Sequence, residues 1–344
     1  MARRPRHLPD TKSPRDGKMP VFHYDNGLRI TTCDLAVDVR RRQPRAFVSH
    51  AHFDHMGRHA FALCTAETSQ LYQHRLGKRD TRSMPLGEPI EWGGVRLTAY
   101  PAGHCLGSAM LYVEDDGQSL LYTGDFKLGE SLTSSPCELP RADLLVIEST
   151  YGDPHYRFPP RAESIEQLLA AVDECLREER TPVIQAYALG KAQEVTKLLT
   201  SNGRPVWQSP DVYAISQVYE SCGMMLGDVR RLDESAIRRG DVAGGAVVAA
   251  PGSRAGGLLS LLERKATIVT SGWALAPWQR TRSRADYSIA LSDHADYDDL
   301  LEAIRRVEPQ EIYCTHGPVK FVDRLRDLGH CAYPLAGHFQ RRLF

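Results

Sequence analysis

The sequence predicts an α/β protein in which a β-rich unit is interrupted by an inserted α/β unit. Three observations predict it. From Val21 to about Ser149, short apolar runs are separated by Gly, Pro and Asp turns. From about Arg161 to Leu262, strand-like runs alternate with helical ones, the pattern of a partly parallel sheet. After Trp273 the histidine-bearing text of the first part resumes, at His294 and His316.

The elements follow in order. Leu35-Ala36-Val37 and Ala46-Phe47-Val48 are the first apolar runs, and Val95–Tyr100 and Ala109–Val113 alternate as strands do. Ala162–Glu178 carries Ile165, Leu168, Leu169, Val172 and Leu176 at helical spacing. Pro182–Tyr187 reads as a buried strand, and Gly190 opens a helix holding Ala192, Val195, Leu198 and Leu199. Residues 1–20 read as a polar lead-in, 21–152 and 289–344 as one core, and 153–288 as the insert. Internal repeats and low-complexity tracts are not evident.

Composition narrows the class. At 344 residues, with 42% hydrophobic residues, the chain can bury a proper core. Its 43 basic and 43 acidic side chains cancel, so steering of a charged partner must come from local patches. Arg3–Arg6, Arg40–Arg42, Arg230-Arg231, Arg238-Arg239 and Arg280–Arg284 are candidates, with scattered solvated arginines as the equal alternative. The eight cysteines form no CxxC pair, which excludes a zinc knuckle and fits free thiols in a reducing cytosol. A run of 18 or more apolar residues is missing, and the basic N-terminus is not followed by a secretory apolar stretch. The expectation is a cytoplasmic protein without membrane contact.

The chemistry is concentrated in Ser49-His50-Ala51-His52-Phe53-Asp54-His55. Residues two apart on a strand share a face, so His50 and His52, directly after Ala46-Phe47-Val48, can grip one metal, while Asp54 and His55 on the following turn reach a second. Imidazole and carboxylate suit zinc, manganese or iron. The plain alternative is a polar loop rich in histidine. His104 in Pro101–Ala109, Asp125 in Leu121–Phe126 and His316 in Tyr313–Gly317 each follow a short β-rich run, and for any one of them alone a structural histidine or a turn Asp-Gly is the plainer reading. Gly190-Lys191 at a helix start reads either as a phosphate cradle or as an ordinary helix start with a solvent-facing lysine.

The pattern HxHxDH, with these later residues in order, resembles the metallo-β-lactamase superfamily. Asp38 resembles its first-motif aspartate, which orients the histidine loop, with Asp34 the weaker candidate. Glu148-Ser149-Thr150-Tyr151-Gly152 and Leu291-Ser292-Asp293-His294-Ala295-Asp296 resemble motifs A and B of the β-CASP branch, with His316 as motif C. The connecting segments 152–160, 186–194 and 271–274 resemble the bacterial DNA-ligase-associated exonucleases.

The resemblance implies a four-layer αββα core with an inserted β-CASP domain. It implies two divalent metal ions (zinc, or manganese or iron), the first on His50, His52 and His104, the second on Asp54, His55 and His316, and Asp125 bridging them. It further implies two-metal hydroxide attack on phosphorus, with His294, backed by Glu148, protonating the leaving oxygen. A purely structural Glu148–His294 pair is the alternative. Lys191 and Ser292 are candidate substrate contacts. The implied function is a DNA exonuclease on single-stranded or frayed-end DNA, working beside an ATP-dependent DNA ligase and helicase. The competing implication is a ribonuclease processing RNA ends, because RNA-cleaving members of this branch keep histidine at motif C, as His316 does here. A thioesterase or lactonase on the same core would lack motifs A and B, and a dead scaffold would lack metal ligands.

Overall fold

The computed structural model describes residues 20–252, 255–276 and 285–335. The lead-in residues 1–19, Arg280–Arg284 and the segment Gly337-His338-Phe339-Gln340 lie outside the described residues.

Two sheets face each other across the first core. The first runs in chain order from Phe22–Tyr24 to Asp80–Ser83, antiparallel through Leu35–Val37 and parallel from there through Arg45–Phe47 and Phe61–Cys64. The second has the order Ala332–Pro334, Glu311–Thr315, Leu144–Glu148, Gln118–Tyr122, Ala109–Asp115, Val95–Pro101 and Pro89–Trp92. Strand alternation sorts its residues. Leu120, Tyr122, Leu144 and Val146 point at the first sheet, where Ile30, Leu35, Val37, Phe47 and Leu63 meet them. Leu121, Leu145 and Ile147 point outward, under the helices Tyr297–Val307 and Val319–Asp327. The outer face of the first sheet is covered by Leu71 and Tyr72 of the helix Ala66–Leu76 and by Ile215 and Tyr219 of the helix Pro210–Ser221. The layers are therefore α, β, β, α, as expected.

A third sheet is wholly parallel, with the order Val229–Arg231, Val206–Gln208, Ala246–Ala249, Thr181–Gln185, Lys265–Thr270 and Tyr287–Ile289. Its inner strand Ala246–Ala249 is a continuous apolar run because both faces are covered, whereas the edge strand Val229–Arg231 carries two exposed arginines. Ile184, Ala246, Val248 and Ile268 pack on the helices Arg161–Arg177 and Lys191–Ser201, while Val183, Trp207 and Val247 pack on Leu232, Ala236 and Leu262. The strand expected to reach Tyr187 ends at Gln185, because the chain turns there toward the other sheets.

The parallel pairs decide where the chemistry sits. Leu144–Glu148 lies in register with Glu311–Thr315, so Glu148 pairs with Thr315 and His316 emerges beside it. Gln118–Tyr122 runs parallel to the same strand and delivers Asp125 to that edge. Leu35–Val37 and Arg45–Phe47 are likewise parallel and deliver Asp38 and the loop 49–55. Loops at the C-terminal ends of parallel strands are where α/β proteins gather ligands.

The eight cysteines are free thiols. Among the described residues, no helix is long and apolar enough to cross a membrane. Arg230, Arg238 and Arg239 pair with Asp228, Glu234 and Asp241, so these two clusters are largely neutralised locally. Ile147 lies fully buried mid-sheet. Ile147→Ala should therefore cost about 2–5 kcal/mol of stability in a denaturant melt. A loss below about 1 kcal/mol would contradict this packing.

Candidate metal centre

The loop 49–55 is not a continued strand. Arg45–Phe47 ends before it, and His50 and His52 converge through bends and turns rather than by sharing a strand face. The consequence is that they use different atoms. His50 Nε2 stands 2.9 Å from His52 Nδ1, and His104 Nε2 stands 3.2 Å from the same Nδ1. Two nitrogens bound to one zinc at about 2.0–2.1 Å in tetrahedral geometry would stand about 3.3 Å apart. The set therefore fits one divalent ion with little adjustment.

Each of these rings has its second nitrogen committed elsewhere, which fixes the tautomer. His50 Nδ1 meets Ser49 Oγ at 2.9 Å, His52 Nε2 donates to Leu189 O at 3.0 Å, and His104 Nδ1 donates to Asp293 O at 2.8 Å. Burial also keeps them neutral, the ligating form. It holds His50 well below the usual histidine range, and together with the neighbouring His104 it brings His52 down to about 4.

Asp125 is the centre of the cluster. Its Oδ2 lies 3.3 Å from His55 Nε2, 3.6 Å from His50 Nε2 and 4.0 Å from His104 Nε2. Burial opposes its charge, yet His55 and His294 outweigh burial and hold it well below the usual carboxylate range. Two groups of potential ligands share it: His50, His52 and His104 on one side, His55 and His316 on the other, with the ligand atoms of each group within 4.8 Å of one another. Asp54 sits at the rim, half exposed, with Oδ2 3.8 Å from His55 Nε2.

Asp38 holds this arrangement from behind. Its carboxylate accepts from Ser49 N at 2.8 Å, Ser49 Oγ at 2.5 Å, Tyr122 OH at 2.8 Å and His55 Nδ1 at 2.7 Å. Asp34, by contrast, is exposed and paired with Arg29. Asp38 and His316 both adopt positive φ, 48° and 56°, a conformation side chains rarely take unless their surroundings impose it. Gly317 is required beside His316, since a Cβ there would fall 2.0 Å from Ser149 O.

Behind Asp125 lies a second pair. His294 Nδ1 donates to Glu148 Oε1 at 3.0 Å, and Glu148 is itself fixed by Phe126 N at 2.9 Å and Thr150 Oγ1 at 2.5 Å. Burial disfavours the His294 cation, but Glu148 and Asp125 overcome it and raise its pKa to about 10. Its ring centroid is 4.7 Å from that of His104.

The two candidate substrate contacts sit elsewhere than a surface cradle would require. Lys191 is only 2% exposed and its Nζ lies 3.0 Å from Asp293 Oδ1, so the solvent-facing alternative for this lysine does not hold. Ser292 is buried, and its Oγ accepts from His294 N at 3.0 Å, which shapes the loop before the histidine. Sequence reasoning passed over Tyr122, Ser49, Leu189 and Asp293, although Asp293 directly precedes His294.

Comparison with known proteins agrees with this picture. A family model, the Zn-dependent metallo-hydrolase RNA specificity domain, matches residues 282–333. A probable DNA ligase of Opitutus terrae is 35% identical over 324 residues, covering 93% of this chain and 31% of the relative. An RNase J-like protein of Methanocaldococcus jannaschii is 26% identical over 357 residues, covering 83% of this chain and 82% of the relative. An endoribonuclease YSH1 of Yarrowia lipolytica is 26% identical over 291 residues, covering 69% of this chain and 35% of the relative. The chain thus spans about a third of the first and third of these relatives. Among solved structures, a protein of unknown function from Enterococcus faecalis V583 shares the fold, with TM-score 0.57 and 16% identity over 79% of this chain and 75% of that one. With its ordered histidine and aspartate motifs, its αββα layers and these likenesses, the chain belongs to the β-CASP branch of the metallo-β-lactamase superfamily.

Proposed function

We propose that the chain is a metal-dependent phosphodiesterase acting as a DNA exonuclease, with residues 153–288 as an insert that closes the cleft over the strand. The observation that carries this reading is the convergence of five imidazoles on one buried carboxylate, with the Glu148–His294 pair directly behind. His50, His52 and His104 would hold one divalent ion, Asp54, His55 and His316 a second, and Asp125 both; zinc, manganese and iron suit these donors. Such ions, when bound, supply Lewis acidity toward a phosphoryl oxygen and lower the pKa of water.

The remaining work falls to the chain's own side chains. Glu148 binds His294 at Nδ1, which leaves Nε2 as the nitrogen that carries a proton to the departing sugar oxygen. A carboxylate behind an imidazole fixes the tautomer and favours the cation, so a proton is available at neutral pH. Asp38 keeps His55 aimed at Asp125 while the substrate's charge passes over them.

Single-stranded or frayed-end substrates are favoured by two exposed aromatic rings beside His52. Phe53 follows it in sequence and is 56% exposed, with the Arg75 guanidinium 3.7 Å from the ring centroid. Tyr187, 52% exposed, stands two residues before the carbonyl that holds His52. Bases splayed from a single strand stack on such rings, at about 1–3 kcal/mol per base. DNA is supported by the Opitutus terrae relative, in which a region like this chain is part of a larger probable DNA ligase. We accordingly propose function beside an ATP-dependent DNA ligase and helicase in the cytoplasm. The second reading, a ribonuclease on RNA ends, is favoured by the RNA specificity domain match, by the ribonuclease relatives and by His316.

End-labelled DNA and RNA of one sequence, incubated with manganese, decide between these readings. Stepwise shortening of DNA is expected; preferential loss of RNA would transfer the assignment to the second reading. Asp125→Ala should remove at least about 4 kcal/mol of transition-state stabilisation, a thousandfold or greater loss, while the fold persists. Retained activity would end the metal-dependent account. His294→Ala should lower kcat about a hundredfold or more with bound metal unchanged. Phe53→Ala should raise KM about fivefold to a hundredfold for single strands with little change in kcat. An unchanged KM would remove Phe53 from the substrate path.

A further inference from the structure

The turn Leu189-Gly190-Lys191 joins the strand Thr181–Gln185 of the third sheet to the helix Lys191–Ser201. It touches the metal centre twice. Leu189 O accepts from His52 Nε2 at 3.0 Å. Lys191 Nζ pairs with Asp293 Oδ1 at 3.0 Å, and the backbone carbonyl of Asp293 accepts from His104 Nδ1 at 2.8 Å. Two of the three imidazoles that converge on one point are thus aimed from the third sheet, and only His50 is aimed from the first, by Ser49.

The turn is built to hold its shape. Gln193 Oε1 accepts from Gly190 N at 2.9 Å, and Gln193 Nε2 donates to Ala188 O at 3.1 Å. Gly190 has φ 88°, and a Cβ there would come within 3.2 Å of Cys105 Cβ and 3.4 Å of Asp293 Oδ2. The turn therefore lies directly against the His104 loop. A lysine this deeply buried is expensive unless its partner is well fixed, and stability alone seldom explains such a pair. His55 is aimed differently, by Asp38 of the first sheet, and His316 leaves a strand of the second.

We propose that Leu189-Gly190-Lys191 is a positioning element for one metal site only. It orients His52 directly and His104 through Asp293, so the affinity of the His50, His52 and His104 site depends on how the third sheet is seated. The site formed by Asp54, His55 and His316 is independent of it. The inference rests on these histidines holding divalent ions.

The test is equilibrium dialysis of the metal-free full chain against cobalt(II), with visible absorption separating the two sites. Four proteins are compared: wild type, Lys191→Met, Lys191→Arg, and the double variant Lys191→Met with Asp293→Asn. The double variant leaves no uncompensated buried charge and so keeps the chain folded even where Lys191→Met alone does not. The expected result is an affinity loss of about 10- to 100-fold at the His50, His52 and His104 site in the double variant, the usual effect of losing a group that orients a ligand. The other site should hold cobalt within about twofold, well below that range, and Lys191→Arg should restore the first. Equal losses at both sites, or none at either, would overturn the positioning role. Wild-type protein that binds no cobalt would instead overturn the metal reading beneath it.

Discussion

The structure depends on one electrostatic constraint: Asp125 is a buried carboxylate faced by imidazole nitrogens that also face each other at hydrogen-bond distance. Lone pairs and negative charge at such separations repel unless a cation lies among them. A proton on His55 partly meets the need, since Asp125 and Asp38 outweigh burial and hold that ring well above its ordinary pKa. The tautomers of His50, His52 and His104 point the other way, because each has its outer nitrogen engaged and its inner one directed to the shared point. Divalent metal would satisfy the whole arrangement, and its binding would displace the proton on His55.

The fold makes this crowding possible by spreading its cost over three sheets. Parallel strands in the first and second sheets deliver Asp38, the loop 49–55, Asp125, Glu148 and His316 to one edge. Two residues at that edge, Asp38 and His316, are held at positive φ. The third sheet closes the opposite side and brings Leu189, Lys191, Asp293 and His294.

Much of this was legible in the sequence, and the reason is locality. Three histidines and an aspartate within residues 50–55 announce metal chemistry whatever the backbone does, and the alternation of strands and helices after Arg161 announces a parallel sheet. The atoms chosen were not legible. His50 and His52 meet through a loop, so a strand-face argument finds the right pair for the wrong reason. Contacts between distant segments were the other loss. His104 meets the Asp293 carbonyl across 189 residues and His52 meets Leu189 across 137, and neither backbone acceptor leaves a mark in side-chain patterning. Lys191 was ambiguous for the same reason, since only the fold shows that it is buried against Asp293.

The ring of imidazoles around Asp125 is proposed here as a two-ion centre. Anomalous diffraction from crystals of the full chain grown with manganese or zinc tests it most directly. Two peaks are expected, one bounded by His50, His52 and His104, the other by Asp54, His55 and His316, with Asp125 touching both. A metal-saturated crystal with no peak at Asp125, or with ions bound only elsewhere on the chain, would contradict it.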